Sequence, residues 1–166
     1  VSTGGHQLYW TTNINIETGA IIEPGGHKAK YINSFVMNDN VYFMYYETIL
    51  ELVRQRNFPD KPSRYDSLFV CKSLDDIHHF MKQYNRIGHF IYNIKPKSQE
   101  FKIHHGNFKS VSPHRSSKFC NKNAIGCYTH QDYLDNAFDY WSGDNIEDNC
   151  MEVCIASSII LLEKIS

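Results

Sequence analysis

The residues from Phe58 to Cys71, Phe-Pro-Asp-Lys-Pro-Ser-Arg-Tyr-Asp-Ser-Leu-Phe-Val-Cys, set a stiff Pro-Ser-Arg corner directly before a short apolar strand. Proline holds its φ near one value. A corner of this kind keeps polar side chains still at a sheet edge, which a pocket for a charged small molecule requires. A second polar group, Glu47, Glu51 and Arg54, has the spacing of an ion-pair set on the solvated face of a helix. His114, Cys120, Cys127 and His130 are metal-capable but lack the close Cys-Cys knuckle of common zinc sites, so no metal is expected. Lys109, His114, Arg115, Lys118 and Lys122 make the segment 109–122 locally basic. Its default reading is a solvated loop; the sharper one is a contact surface for a phosphate-bearing acceptor, nucleic acid included. No Ser-His-Asp order, phosphate-loop glycine pattern or Gly-x-Gly-x-x-Gly run occurs, which argues against a doubly wound dinucleotide-binding sheet.

The chain of 166 residues suits one domain spanning 1–166. Its 42% hydrophobic and 21% charged content is that of an ordinary globular protein, and a net charge of -1 gives no global pull toward nucleic acid. The 11 Tyr and 10 Phe serve a core and a ligand cleft alike. No apolar run approaches the roughly 20 residues of a membrane helix; Ile155 to Leu162 is interrupted by Ser157 and Ser158. The cysteines number five, an odd count, and Cys71 and Cys154 sit in apolar runs, the pattern of buried free thiols in a reducing compartment. Val1 to Gln7 shows no charged-then-apolar signal pattern. The expectation is a monomer without membrane contact, in the cytoplasm or delivered into a host cytoplasm.

The elements that must carry these residues follow from periodicity and turn chemistry. Leu8 to Thr12 reads as a first strand, and Glu17 to Gly26 as a turn-rich loop with a brief extended piece. Val41 to Arg56 is a helix with Val41, Met44, Tyr45, Thr48, Ile49, Leu52 and Val53 on one face. Ser67 to Cys71 is a strand, and Ser73-Leu-Asp-Asp76 opens a helix with an acidic first turn. His89 to Ile94 and Glu100 to His105 read as strands, Gly106 to Thr129 as a long polar loop, and Gln131 to Trp141 as a helix burying Tyr133, Leu134, Ala137, Phe138 and Trp141. Cys150 to Ile155 and Ser158 to Lys164 read as a closing hairpin. Helices among short strands imply an α/β or α+β architecture.

In this order the features resemble the ADP-ribosyltransferase superfamily, most closely its small bacterial and phage-encoded branches. The likeness rests on Tyr9-Trp10-Thr11-Thr12 in the first strand and on Gly19-Ala-Ile-Ile-Glu-Pro-Gly25 after it. It continues through the helix with Glu47, Glu51 and Arg54 that leads into Lys61 to Cys71, and ends with Tyr140-Trp-Ser-Gly143 before Met151-Glu152-Val153. The resemblance implies an α+β fold in which two small antiparallel or mixed sheets, flanked by helices, form a cleft for NAD as co-substrate. By position, Glu152 matches the superfamily's catalytic glutamate, which stabilises the cation formed when the nicotinamide–ribose bond breaks. Tyr9, Trp10 and Thr11 map to the strand that holds the nicotinamide amide, Ser67 to the hydroxyl residue that steadies the ribose, with Phe69 beside it in the same strand. Arg64 maps to a pyrophosphate partner, since its planar fork suits phosphate. The implied activity is mono-ADP-ribosyl transfer to a protein, nucleic acid or small molecule. Arginine acceptors are disfavoured, because Cys150 stands where arginine-modifying members carry Glu or Gln. Two alternatives stay open: an inactive ADP-ribosyltransferase-like binding module, and an NAD glycohydrolase. A role as toxin or phage effector fits the wealth of Asn, Lys, Ile and Tyr.

Each residue also has a purely structural reading. Glu152 could be a salt-bridged strand-start carboxylate, Arg64 a corner residue, Tyr9 and Trp10 core, and His104-His105 an edge strand without a role.

Overall fold

The computed structural model describes residues 7–30, 41–111, 129–148 and 150–166, the side chains of residues 41, 42 and 109 excepted. The basic segment 109–122 lies almost wholly outside the described residues, as do His114, Cys120 and Cys127. In chain order the elements are β1 (Leu8–Thr12), β2 (Ile21–Ile22), α1 (Gly26–Lys28), α2 (Val41–Asn57), a 3-10 turn (Arg64–Asp66), β3 (Leu68–Val70), α3 (Leu74–Gln83), β4 (Phe90–Pro96), β5 (Ile103–Asn107), a second 3-10 turn (Phe108–Val111), α4 (His130–Ser142), β6 (Met151–Ile155) and β7 (Ile159–Lys164). They form two antiparallel sheets, ordered β1-β4-β7-β2 and β3-β6-β5. This is the α+β architecture expected, two small sheets with flanking helices. No helix among the described residues is long and apolar enough to cross a membrane.

Local chemistry accounts for the helix ends. The Ser73 side chain accepts from the Asp76 N–H, and Thr129 with Asp132 forms a reciprocal capping box at the start of α4. Gly143, at φ 74, stops α4 in the left-handed region. Carbonyls left over at that end are taken by side chains: Lys61 donates to Trp141 O, and His104 Nε2 lies 2.8 Å from Tyr140 O. His104 is therefore a buried structural residue that ties β5 to α4, not a side chain without a role.

Apolar burial supplies the larger energies, about 1.5–3 kcal/mol for each fully buried aliphatic or aromatic side chain. Leu8, Tyr92, Ile94, Ile159 and Leu161 of the first sheet meet Leu68, Val70, Val153 and Ile155 of the second. A second cluster joins α2 and α4 through Tyr46, Ile49, Leu50, Val53, Ala137, Tyr140 and Trp141. α3 covers β1 through Ile77, which packs with Tyr9, Cys71 and Ile91.

Three expectations are corrected. β6 and β7 do not form a hairpin; they lie in different sheets. β6 is paired on both edges, by β3 and β5, so the chain leaves it through Ala156–Ser158 and joins the other sheet. The buried face of α2 is rotated, because Tyr46 and Leu50 face α4 while Tyr45, Thr48 and Leu52 are exposed. On α4, Tyr140 is fully buried and Phe138 is 48% exposed against Phe58.

Candidate functional site

Among the described residues, backbone hydrogen bonds join the two sheets at one point, beyond which their edges part. Tyr9 and Cys71 exchange two backbone hydrogen bonds of 2.8 Å. The next pair along, Thr11 with Phe69, is not made. Hydrogen-bonding groups alternate sides along a strand, so the Thr11 N–H and C=O face the same way as those of Tyr9, into the opening wedge. A cavity of about 340 Å³ fills that wedge, walled by β1, β3, Glu152 of β6, Glu47 of α2 and the rings of Phe80 and Tyr84. At its apex a recess of about 10 Å³, room for one water, is lined by Tyr9, Thr11, Phe69, Cys71 and Glu152 among others. The buried Thr11 hydroxyl has no hydrogen-bond partner there, a state that costs free energy unless a ligand or water relieves it.

Arg64 organises the floor. The 3-10 turn after Ser63 delivers it into the interior, where only 4% of it is exposed. Its Nε donates to Glu47 Oε2 at 2.9 Å, Nη2 to Glu47 Oε1 at 3.0 Å, and Nη1 to Tyr140 Oη at 2.6 Å and to Glu152 Oε1. Its face lies 4.4 Å from the Phe69 ring centroid. Burial works against this cation, but the Glu152 and Glu47 carboxylates outweigh it and hold its pKa well above the usual range. Burial likewise pushes Glu47 up, yet Arg64 and then His27 pull it down to about 2. The Tyr140 hydroxyl, raised well above its ordinary pKa chiefly by burial, donates to Glu152 Oε1 at 2.7 Å. The other Glu152 oxygen, Oε2, makes no hydrogen bond among the described residues.

Glycine is needed at two positions around this network. Gly106 stands opposite Glu152 across β5 and β6, and a Cβ there would lie 2.3 Å from the Tyr140 ring. Its absence lets the ring reach the carboxylate. Gly25, at φ 108, turns the chain into α1, which places His27 Nε2 at 3.2 Å from Glu47 Oε1 and its ring 4.5 Å from Phe69.

Of the residues singled out in the sequence, Trp10, Thr11, Arg64, Ser67, Phe69 and Glu152 all line the cavity. Tyr9 lines the recess, with its backbone committed to Cys71 and its hydroxyl to Gln7 at 2.8 Å. The Ser67 hydroxyl donates to Ser63 O at 2.6 Å and keeps lone pairs to accept a further bond. Arg64 does not fit the part of a pyrophosphate partner. Its charge is already matched by two carboxylates, and all but one Nη2 hydrogen is committed.

Sequence reasoning placed Glu47 on a solvated helix face, gave Tyr140 no role in the site and did not single out His27. Glu47 and Glu51 look alike one helical turn apart, but only Glu51 makes the expected pair with Arg54, at 2.8 Å. The glycines before His27 and the tyrosine next to Trp141 were the available signals.

The family described as "Protein of unknown function (DUF2441)" matches residues 12–166. The chain belongs to that family. No curated protein matches it. The span shared with the DUF2441 family holds His27, Glu47, Arg64, Tyr140 and Glu152, and begins just after Tyr9, Trp10 and Thr11. Thiol chemistry does not compete at this site: burial pushes the Cys154 thiol up to about 12 and the Cys71 thiol higher still. Among the described residues no group of three or more side chains could hold a metal. His130, from the metal-capable set, bonds the Tyr45 hydroxyl at 2.6 Å.

Proposed function

We propose that this protein is an NAD-dependent mono-ADP-ribosyltransferase with Glu152 as its catalytic carboxylate. One observation carries the reading. Glu152 is held by Arg64 and Tyr140 through Oε1 while Oε2 stays open on a cavity wall, across from the unpaired edge of β1. A carboxamide offers one C=O and one NH2, the complement of the N–H and C=O that Thr11 presents, and its ring fits between aromatic walls such as Trp10 and Phe69. Glu152 Oε2 accepts a ribose hydroxyl. Its charge stabilises the cation that develops at C1′ as the N-glycosidic bond breaks and the electron pair leaves with nicotinamide. The acceptor's lone pair then bonds to C1′ and its proton passes to solvent.

Arginine remains a disfavoured acceptor, since Cys150 is fully buried between α2 and α4. A nucleotide-binding module without chemistry is the second reading. It is favoured by the sharing of Arg64, because Glu152 already has a cation beside it. Labelled NAD incubated with a cell lysate, followed by nuclease and protease digestion, tests the first reading. Label on a macromolecule supports transfer, nicotinamide release without label supports hydrolysis, and calorimetric NAD binding with neither supports the module. No NAD binding by the folded protein overturns the NAD reading.

A further inference from the structure

We infer that one end of the first sheet is a docking surface for an anionic lipid membrane. Ile87 and Ile14 are the most exposed large apolar side chains among the described residues, at 88% and 62%. They stand on neighbouring loops. β1 and β4 pair antiparallel out to Thr12 with Phe90, so the chain leaving β1 toward Ile14 and the chain entering β4 from Ile87 emerge side by side. Ile165, also exposed, follows β7 at the same end, where its N–H donates to Ile91 O at 2.8 Å. Single apolar side chains scattered over a surface are ordinary, whereas a group of them at one tip marks a contact site. Local hydrogen bonds hold both loop tips in place. The His89 N–H donates to Arg86 O at 3.4 Å, and Gly88 at φ 78 supplies the left-handed third position of that turn, which leaves Ile87 at its outer corner. The Ile14 N–H donates to the Thr12 Oγ1 at 3.2 Å.

Charge and composition select the occupant. The segments 13–15, 82–89 and 164–165 that form this tip carry Lys82, Arg86 and Lys164 and no acid, although Glu163 beside Lys164 offsets part of the charge. Lys82 and Lys164 are both exposed. Lys82 sits in the last turn of α3, and its carbonyl receives the Asn85 N–H at 3.3 Å. Lys164 Nζ donates to Asn15 Oδ1 at 2.9 Å, next to Ile14 in the chain, and lies 4.1 Å from the Phe90 centroid. Protein interfaces favour aromatic, Met and Arg side chains and are depleted in lysine. This tip presents isoleucine and lysine, while Tyr84 and Phe90 are half-buried. Isoleucine side chains enter the apolar part of a leaflet, and lysines stay at the head groups, drawn to anionic lipid. The contact is peripheral and needs no membrane-crossing helix. Absence of a long apolar run in the sequence bears only on crossing, not on loop tips. Arg86, one residue before Ile87, lines the cavity, so a docked membrane lies beside that cavity. The surface goes beyond the NAD reading and holds whether or not NAD binds.

Co-sedimentation with vesicles of phosphatidylcholine mixed with phosphatidylserine, against vesicles of phosphatidylcholine alone, tests the surface. The wild type is expected to bind the mixed vesicles, and less so as salt is raised. Ile87→Asp and Ile14→Asp should each bind roughly tenfold or more weakly. Lys82→Gln should lose a smaller factor, roughly two- to fivefold. Phe138→Ser, which removes an exposed ring on α4, should bind like the wild type. Circular dichroism should be unchanged in Ile87→Asp, whose side chain is almost wholly in solvent. Failure of the wild type to bind the mixed vesicles overturns the assignment, as does equal binding to both kinds of vesicle. Wild-type affinity in both isoleucine variants, or an equal loss in Phe138→Ser, also overturns it. Light scattering without lipid covers the other occupant: a wild-type dimer that Ile87→Asp dissolves would give this surface to a second copy of the chain and take it from the membrane.

Discussion

The Tyr140 hydroxyl donates its 2.7 Å hydrogen bond to Glu152 Oε1, the same oxygen that receives Arg64. Two donors on one oxygen fix the carboxylate plane and leave the second oxygen for a ligand. The arrangement couples α4, the corner before β3 and strand β6, and it depends on the missing side chain at Gly106.

Gly106→Ala is therefore expected to do more than crowd the core. The added methyl must displace the Tyr140 ring, at about 1–3 kcal/mol of stability, and it pulls the hydroxyl away from Glu152. Denaturant melts and transfer assays should fall together. An unchanged midpoint would mean that the ring yields without cost.

Tyr140→Phe keeps the ring and removes the bond. Arg64 and Glu152, both buried, each lose a partner, so stability should drop by about 1–3 kcal/mol in urea unfolding. On the proposed mechanism nicotinamide release should slow while NAD affinity changes little, because the residue positions Glu152 and lines no part of the cavity wall. A loss confined to NAD affinity would count against a positioning role.

Glu152→Gln preserves an oxygen that can still accept from Arg64 and Tyr140, and Arg64 keeps Glu47. The fold should survive with a melting temperature close to that of the wild type, while transfer falls by roughly 100-fold or more. Transfer at the wild-type rate would remove Glu152 from the catalytic role.

Stability should decline in acid in two stages. Burial first, then the neighbouring Lys61 charge, push His104 from 6.5 to about 3. Its folded pKa lies below its unfolded one, so its contribution is complete above 6.5 and lost as pH falls through about 3. Glu47, at about 2 against 4.5, contributes fully above 4.5 and is lost below that as pH falls through about 2. Melting temperature should thus begin to drop below pH 6.5, where Glu47 is still silent, and His104→Gln should flatten that upper part. A His104→Gln profile parallel to the wild type there would assign the slope to other groups.

Much of the frame was legible locally. Strand periods, the Ser73 start of α3 and the Gly143 stop of α4 are short-range chemistry, and each element expected around the site lies within a few residues of its place. The Pro-Ser-Arg corner does hold a buried polar group at a sheet edge. The errors arose where two local solutions were equivalent. Ala156–Ser158 suits a hairpin as well as a crossing, and an apolar β6 looks the same with one paired edge or two.

By itself, then, the sequence determined element types, the candidate corner and the strand-start carboxylate. The tertiary structure decided which carboxylate on α2 meets Arg64, that Arg64 is consumed by Glu47 and Glu152, and that Tyr140 reaches across Gly106. The physical reason is that charge pairing and close approach depend on distances between segments far apart in the chain. Glu47 and Glu51 have the same chemistry and propensity. Only the packing of α2 against α4 and the second sheet places one in the cavity and leaves the other with Arg54.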